Sequence, residues 1–137
     1  MKSKEKGDLA LGQAIAYYTK QGCEILLPIG DKKKYDFVID RNGKLFKVQV
    51  KYSGFKDSGG FAVPLKVMGG NRSSGNNCKK YKKGDFDIFF VYTSDGTTYE
   101  IPYDVLEGKS SIIVGKKYQK YLAGESPTLV QIQPGPP

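Results

Sequence analysis

The chain has 137 residues, with 22 lysines and arginines against 14 aspartates and glutamates, a net charge of +8, two cysteines and no histidine. That is one domain's length, enough to bury a core without disulfides, and the charge favours a polyanionic partner. The lack of histidine excludes Ser-His and Cys-His triads, His-ligated zinc hydrolases and histidine general bases, and Cys23 and Cys78 alone cannot complete a zinc site. Carboxylates, amides, lysine and a divalent ion remain for any phosphodiester hydrolysis. No stretch approaches the roughly 20 apolar residues of a spanning helix, and MKSKEKGD lacks the apolar core of a secretory signal. The expected location is therefore cytoplasmic, at the nucleoid, with no membrane partner.

In chain order, Gly7 and Asp8 precede LALGQAIAYYTKQG, where Leu11, Ile15 and Tyr18 recur at helical spacing. The pattern predicts an amphipathic helix capped by Asp8 and stopped at Gly22. CEILLPI reads as a short strand and GDKKK as a polar loop. YDFVID and KLFKVQVKY both alternate with period two and are joined by Asn42-Gly43, a strong hairpin signal. GFAVPLKVM reads as one further strand, with Pro64 at an edge or bulge. From Gly69 to Lys83 the chain predicts a long basic loop. DFDIFFVYTS is an apolar strand that turns at Asp95-Gly96 into TTYEIPYDVL, a strand running into a short helix or turn. SSIIVGKKYQKYLAGES adds a small strand and a basic stretch, and QIQPGPP a flexible tail. The fold class is α+β: a single domain over 1–137, an N-terminal helix followed by one mixed sheet.

Side chains alternate across a strand, so Asp36, Val38 and Asp40 share one face, as do Lys47, Gln49 and Lys51, while Phe46, Val48 and Val50 face the core. Folding on Asn42-Gly43 turns both polar sets toward one region, at a distance that register decides. A carboxylate, an amide oxygen and an ammonium then suit metal-assisted hydrolysis, with Asp36 toward Mg²⁺ and Lys51 stabilising developing charge. Spacing alone fits an exposed hairpin face, where these residues simply meet solvent, better than it fits a site.

GDLALGQAIAYYTKQGCEILLPIGDKKKYDFVID followed by KLFKVQVKYS resembles the N-terminal half of PD-(D/E)xK endonucleases, in particular the intron-encoded homing endonucleases of cyanobacterial group I introns. The resemblance is close from Gly7 to Ser53 and looser through DFDIFFVYTS and TTYEIP. It implies a restriction-endonuclease-like αβββαβ core that cleaves double-stranded DNA with Mg²⁺. On this resemblance Asp36 and Lys51 are catalytic, Gln49 stands at the middle acidic position, and Asp36, Gln49 and the backbone carbonyl of Val50 hold the ion. It also implies a glutamate at position 11, where this chain has Leu11. Two explanations stay open for Leu11: ordinary core packing, or a replacement that leaves a chain binding DNA without efficient cutting. Asp40 and Asp8 are the auxiliary carboxylates.

Lys66, Arg72, Lys79, Lys80, Lys82 and Lys83 lie in a run with no acidic residue. Six phosphate contacts there predict a slope of roughly −5 in log K against log salt. Arg72 is the candidate for a guanine contact, and Asn71, Asn76 and Asn77 for adenine. Lys32, Lys33 and Lys34, just before Asp36, are placed to clamp flanking phosphates or to lie in solvent. Lys116, Lys117 and Lys120 form a second basic run with the character of plain surface. The function expected is a site-specific, Mg²⁺-dependent endonuclease making double-strand breaks for intron mobility. One site cuts one strand, so a homodimer is the minimum assembly and a tetramer suits a long target. The alternatives are a Holliday junction resolvase-like endonuclease and a non-catalytic DNA-binding protein on the same fold.

Overall fold

The computed structural model describes residues 1–30, 33–68 and 78–124. Helix α1 spans Ser3–Lys20. It begins upstream of the expected Asp8 cap because nothing in SKEKGD breaks a helix. Glu5 accepts the Lys2 N–H at 2.8 Å, and Asp8 pairs with Lys4 one turn back at 3.6 Å. The helix stops as expected, at Gly22 with φ +85°.

Strands β1 (Glu24–Leu26), β2 (Phe37–Arg41) and β3 (Lys44–Ser53) form an antiparallel meander. Asn42 and Gly43 both take positive φ, 55° and 87°, as a two-residue hairpin turn of matching twist requires. The chain then carries β4 (Lys56–Asp57), β5 (Gly60–Pro64), β6 (Lys66–Met68) and β7 (Cys78–Lys80). It continues through β8 (Ile88–Thr93), β9 (Thr98–Pro102), α2 (Tyr103–Leu106), β10 (Ser111–Gly115) and a 3-10 helix over Lys116–Tyr121. The main sheet has the order β1-β2-β3-β8-β9, with β3 and β8 parallel and every other pair antiparallel.

Three expectations change. GFAVPLKVM is not one strand, because Pro64 ends β5 and β6 pairs elsewhere, with β7. The expected basic loop at 69–83 is partly strand, since Cys78–Lys80 pairs with Lys66–Met68; residues 69–77 lie outside the described residues, as does the expected tail from 125 onward. The single sheet is accompanied by two others, β10-β5-β4 and β6-β7. Parallel β3 and β8 need a crossover, and among the described residues that crossover carries β4 to β7 where an αβββαβ core has a helix.

The main sheet is buried on both faces. Under α1 lie Phe37, Ile39, Val48, Val50, Ile88 and Phe90, met by the fully buried Ala10, Ala14 and Tyr18. The alanines let the helix approach the sheet, so the expected stripe shifts and Leu11 and Ile15 sit half-buried on its shoulder. Tyr18 donates to Glu100 at 2.7 Å, and Arg41 bonds the same carboxylate at 3.2 Å, tying α1 to β9 and β2. On the other face Phe61, Val63, Ile112 and Val114 of the three-stranded sheet pack on Phe89, Val91, Tyr99 and Ile101.

That second sheet has a point of close approach. A Cβ on Gly60 would stand 1.9 Å from the Val114 carbonyl oxygen, whereas one on Gly12, in α1, would meet nothing within 4 Å. Gly60→Ala is expected to lower the free energy of unfolding by more than about 1 kcal/mol, and Gly12→Ala to raise it by about 0.5 to 1 kcal/mol. Urea unfolding midpoints of the two variants check both signs.

Candidate active site

Asp36 is fixed by the hairpin it precedes. Its N–H donates to the Val48 carbonyl at 2.7 Å, and its Oδ2 accepts the Val50 N–H at 2.7 Å, so one residue grips β3 through backbone and side chain. Phe37 pairs with Val48, which sets Asp36 opposite Gln49, with Lys51 two residues further along the same face. The structure thus brings Asp36, Gln49 and Lys51 together, all half-buried, on the face turned away from α1. Gln49 donates its Nε2 to the Val50 carbonyl at 3.2 Å.

Burial raises the Asp36 carboxyl above its ordinary value; the Val50 N–H and the Lys51 ammonium pull it back, and burial wins. The donors fit a hard cation: a carboxylate, an amide oxygen available when the Gln49 amide turns over, and the Val50 carbonyl, all oxygen. They bring only one negative charge. Asp40 stands four residues along the strand, roughly 13 Å away at about 3.3 Å per residue, and is used to accept the Gly43 N–H at 2.8 Å. Asp8 is exposed on α1 beside Lys4. Among the described residues no cluster of three His, Cys, Asp or Glu could hold a metal. Leu11 packs, half-buried, against the cluster that contains Val48 and Val50.

The basic residues divide. Lys33 and Lys34 are exposed in the approach to Asp36. Lys66 and Lys80 are exposed and directly opposite in the β6-β7 register, a like-charge pair that costs stability unless a polyanion neutralises it. Lys79 is exposed on the same ribbon, and Lys82 and Lys83 are exposed on the turn that follows. Lys32, Asn71, Arg72, Asn76 and Asn77 lie outside the described residues.

That turn is clamped to β3. Lys82 N–H donates to the Asp85 carboxylate at 2.8 Å, the Lys47 ammonium donates to the Gly84 carbonyl at 2.9 Å, and the Lys47 N–H donates to the Asp87 carboxylate at 2.8 Å. At its start sits Tyr81, a residue that sequence reasoning missed. Burial first, then the charges of Asp36 and Asp85, push its phenol up to about 12, and its ring packs edge-on to Phe89, the β8 residue that pairs with Gln49. Its one distinguishing mark in the sequence is that it is the sole aromatic residue between Lys66 and Lys83.

A carboxyl raised by burial makes the metal-free protein less stable as it ionises. Its contribution is fully present below the ordinary carboxylate value and is lost as pH rises through the raised one. Asp36→Asn keeps an oxygen for the Val50 N–H and removes that cost. With a chelator present, its Tm is expected to match or exceed the parent's at pH 7, with any gain vanishing below about pH 3.5. Thermal unfolding at the two pH values checks this, and a variant less stable than the parent at pH 7 would contradict it.

Comparison with known proteins agrees with this geometry. The family model described as PD-(D/E)XK endonuclease matches residues 1–120. Protein 5.3 of Escherichia phage T7 is 34% identical over 105 residues, which cover 75% of this chain and 83% of the phage protein. The bacterial homing endonuclease I-Ssp6803I superposes with a TM-score of 0.77 at 31% identity, covering 89% of each chain. A helix-led mixed sheet, a hairpin that sets Asp36 against Gln49 and Lys51, and these matches lead to one conclusion: the chain belongs to the PD-(D/E)XK endonuclease family.

Proposed function

We propose that this chain is a site-specific, Mg²⁺-dependent endonuclease that cuts both strands of DNA to start the mobility of a group I intron, acting as a homodimer or as a tetramer built from two dimers. The observation that carries it is the register that sets Asp36 opposite Gln49 with Lys51 on the same face. The match to a homing endonuclease supports the site-specific reading.

In this reading Asp36, Gln49 and the Val50 carbonyl hold the ion, which when bound supplies charge neutralisation at the phosphate and lowers the pKa of a bound water. Lys51, a compact ammonium beside Asp36, stabilises charge that develops on the phosphate oxygens. Lys33 and Lys34 contact phosphates on one side of the scissile bond, and Lys66, Lys79, Lys80, Lys82 and Lys83 those on the other. Arg72 and the asparagines Asn71, Asn76 and Asn77 read bases. Leu11, where the resemblance implies a glutamate, leaves Asp36 the single carboxylate of the site, so cutting is slow relative to binding.

DNA ends sequenced after incubating a library of intronless host DNA with Mg²⁺ test this. The parent chain is expected to cut at one site, Asp36→Ala and Lys51→Ala to cut at least about a hundredfold more slowly, and both to keep metal-free DNA affinity within a few-fold. Leu11→Glu is expected to raise the rate. Undiminished cutting by Asp36→Ala would overturn the assignment of the site, and an unchanged rate for a folded Leu11→Glu protein would overturn the role given to position 11.

A further inference from the structure

Tyr81 is held by contacts that have no part in the family motif. Its ring stands edge-on to Phe86, at 4.9 Å between centroids and 81°, and to Phe89 at 6.3 Å and 64°. Phe86 and Phe89 are themselves buried in the cluster on this face of the sheet. One residue later the chain enters the Lys82–Asp85 turn, closed on itself by the Asp85 carboxylate and by the Asp85 N–H, which donates to the Lys82 carbonyl at 3.0 Å. The turn is pinned to β3 by the Lys47 ammonium and by a reciprocal pair in which Asp87 N–H donates to the Lys47 carbonyl at 2.9 Å. Lys47 lies two residues before Gln49 on the same strand face. Ring and turn therefore share one rigid attachment, on the strand that carries Gln49 and Lys51.

We propose that Tyr81 is a further residue of the nuclease site, its hydroxyl donating a hydrogen bond to an oxygen of the phosphate that Asp36 and Lys51 face. This rests on the nuclease reading above. Among the described residues no hydrogen-bond acceptor receives the Tyr81 hydroxyl, although the ring is half-buried and an O–H in that setting ordinarily finds a partner. Phe89 pairs with Gln49 across β8 and β3, so the ring that packs on it lies on the sheet face that carries Asp36, Gln49 and Lys51, and its neutral phenol O–H is a donor there. It also adds no charge, which distinguishes it from the lysines around it: Lys82 and Lys83 draw the polyanion in, and Tyr81 orients one oxygen of it.

Tyr81→Phe keeps the ring and its packing and removes the hydroxyl alone. The parent chain, Tyr81→Phe and Asp36→Ala are compared in single-turnover cleavage with Mg²⁺, in thermal unfolding, and in DNA binding with and without Ca²⁺, which permits binding where cutting is absent or slow. The expected result for Tyr81→Phe is an unchanged Tm, cleavage slowed by about tenfold or more, and affinity in Ca²⁺ weakened about threefold to tenfold with the metal-free affinity unaltered. Should the parent bind more tightly in Ca²⁺ without cutting, the affinity comparison decides alone. Tyr81→Phe equal to the parent in both rate and Ca²⁺ affinity overturns the proposal and leaves the nuclease reading intact, as does an equal loss of affinity with and without metal. A parent chain that behaves as Asp36→Ala does in every assay overturns the nuclease reading and, with it, the role of Tyr81.

Discussion

The site depends on the register of one hairpin. Because side chains alternate along a strand, a slip of one residue between β2 and β3 would leave Asp36 on one face and carry Gln49 and Lys51 beneath α1, where Val48 and Val50 now pack. Asn42 and Gly43, both at positive φ, fix the length and twist of the turn, and the Asp40 carboxylate closes it by accepting the Gly43 N–H. At the other end Asp36 bonds Val48 and Val50, so the candidate metal ligand also checks the register that sets it opposite Gln49. Burying lysine and glutamine under the helix would cost several kilocalories per mole, and the alternative register is closed by that penalty.

What was legible in the sequence was local. The Asn42-Gly43 turn, the alternation on either side of it and the stop at Gly22 all depend on neighbours within a few residues, and the structure has them where they were expected. The start of α1 was misjudged because Asp8 is a good cap by type, yet the Lys4–Asp8 pair and Glu5 favour an earlier turn. Pairings across long separations carried no such signal. Pro64 marks the end of β5, but nothing near it says that β5 pairs with β10 and β6 with β7. Tyr81 was invisible for the same reason: its position comes from Lys47 and Asp87, which meet only after β3 and β8 have paired.

The acidic residues around the site are few and mostly committed elsewhere. Glu100 is held beneath α1 by Tyr18 and Arg41. Asp87 and Asp85 accept backbone N–H groups that hold the Tyr81 turn, and Asp40 closes the hairpin. The three aspartates satisfy backbone N–H groups and Glu100 satisfies side chains, so each of these carboxylates is already engaged away from Asp36. The lysines of β6, β7 and the turn that follows, by contrast, are exposed, even where Lys66 and Lys80 oppose each other across a ribbon.

That distribution has a consequence for how a metal and DNA would bind. A Mg²⁺ ion ordinarily takes one or two carboxylates together with phosphate oxygens from its substrate and keeps the rest of its shell as water. With Asp36 the single protein carboxylate, most of the anionic oxygen at the site comes with the DNA. Ion and nucleic acid then each raise the other's affinity, by the same factor in both directions. The neutral groups, Gln49 and Tyr81, orient oxygens without adding to the charge, and the Lys51 ammonium partly offsets the upward pull of burial on the Asp36 carboxyl. A site of this kind is poorly suited to holding a metal alone and well suited to holding one against a phosphate, which ties assembly of the catalytic centre to arrival of the strand it would cut.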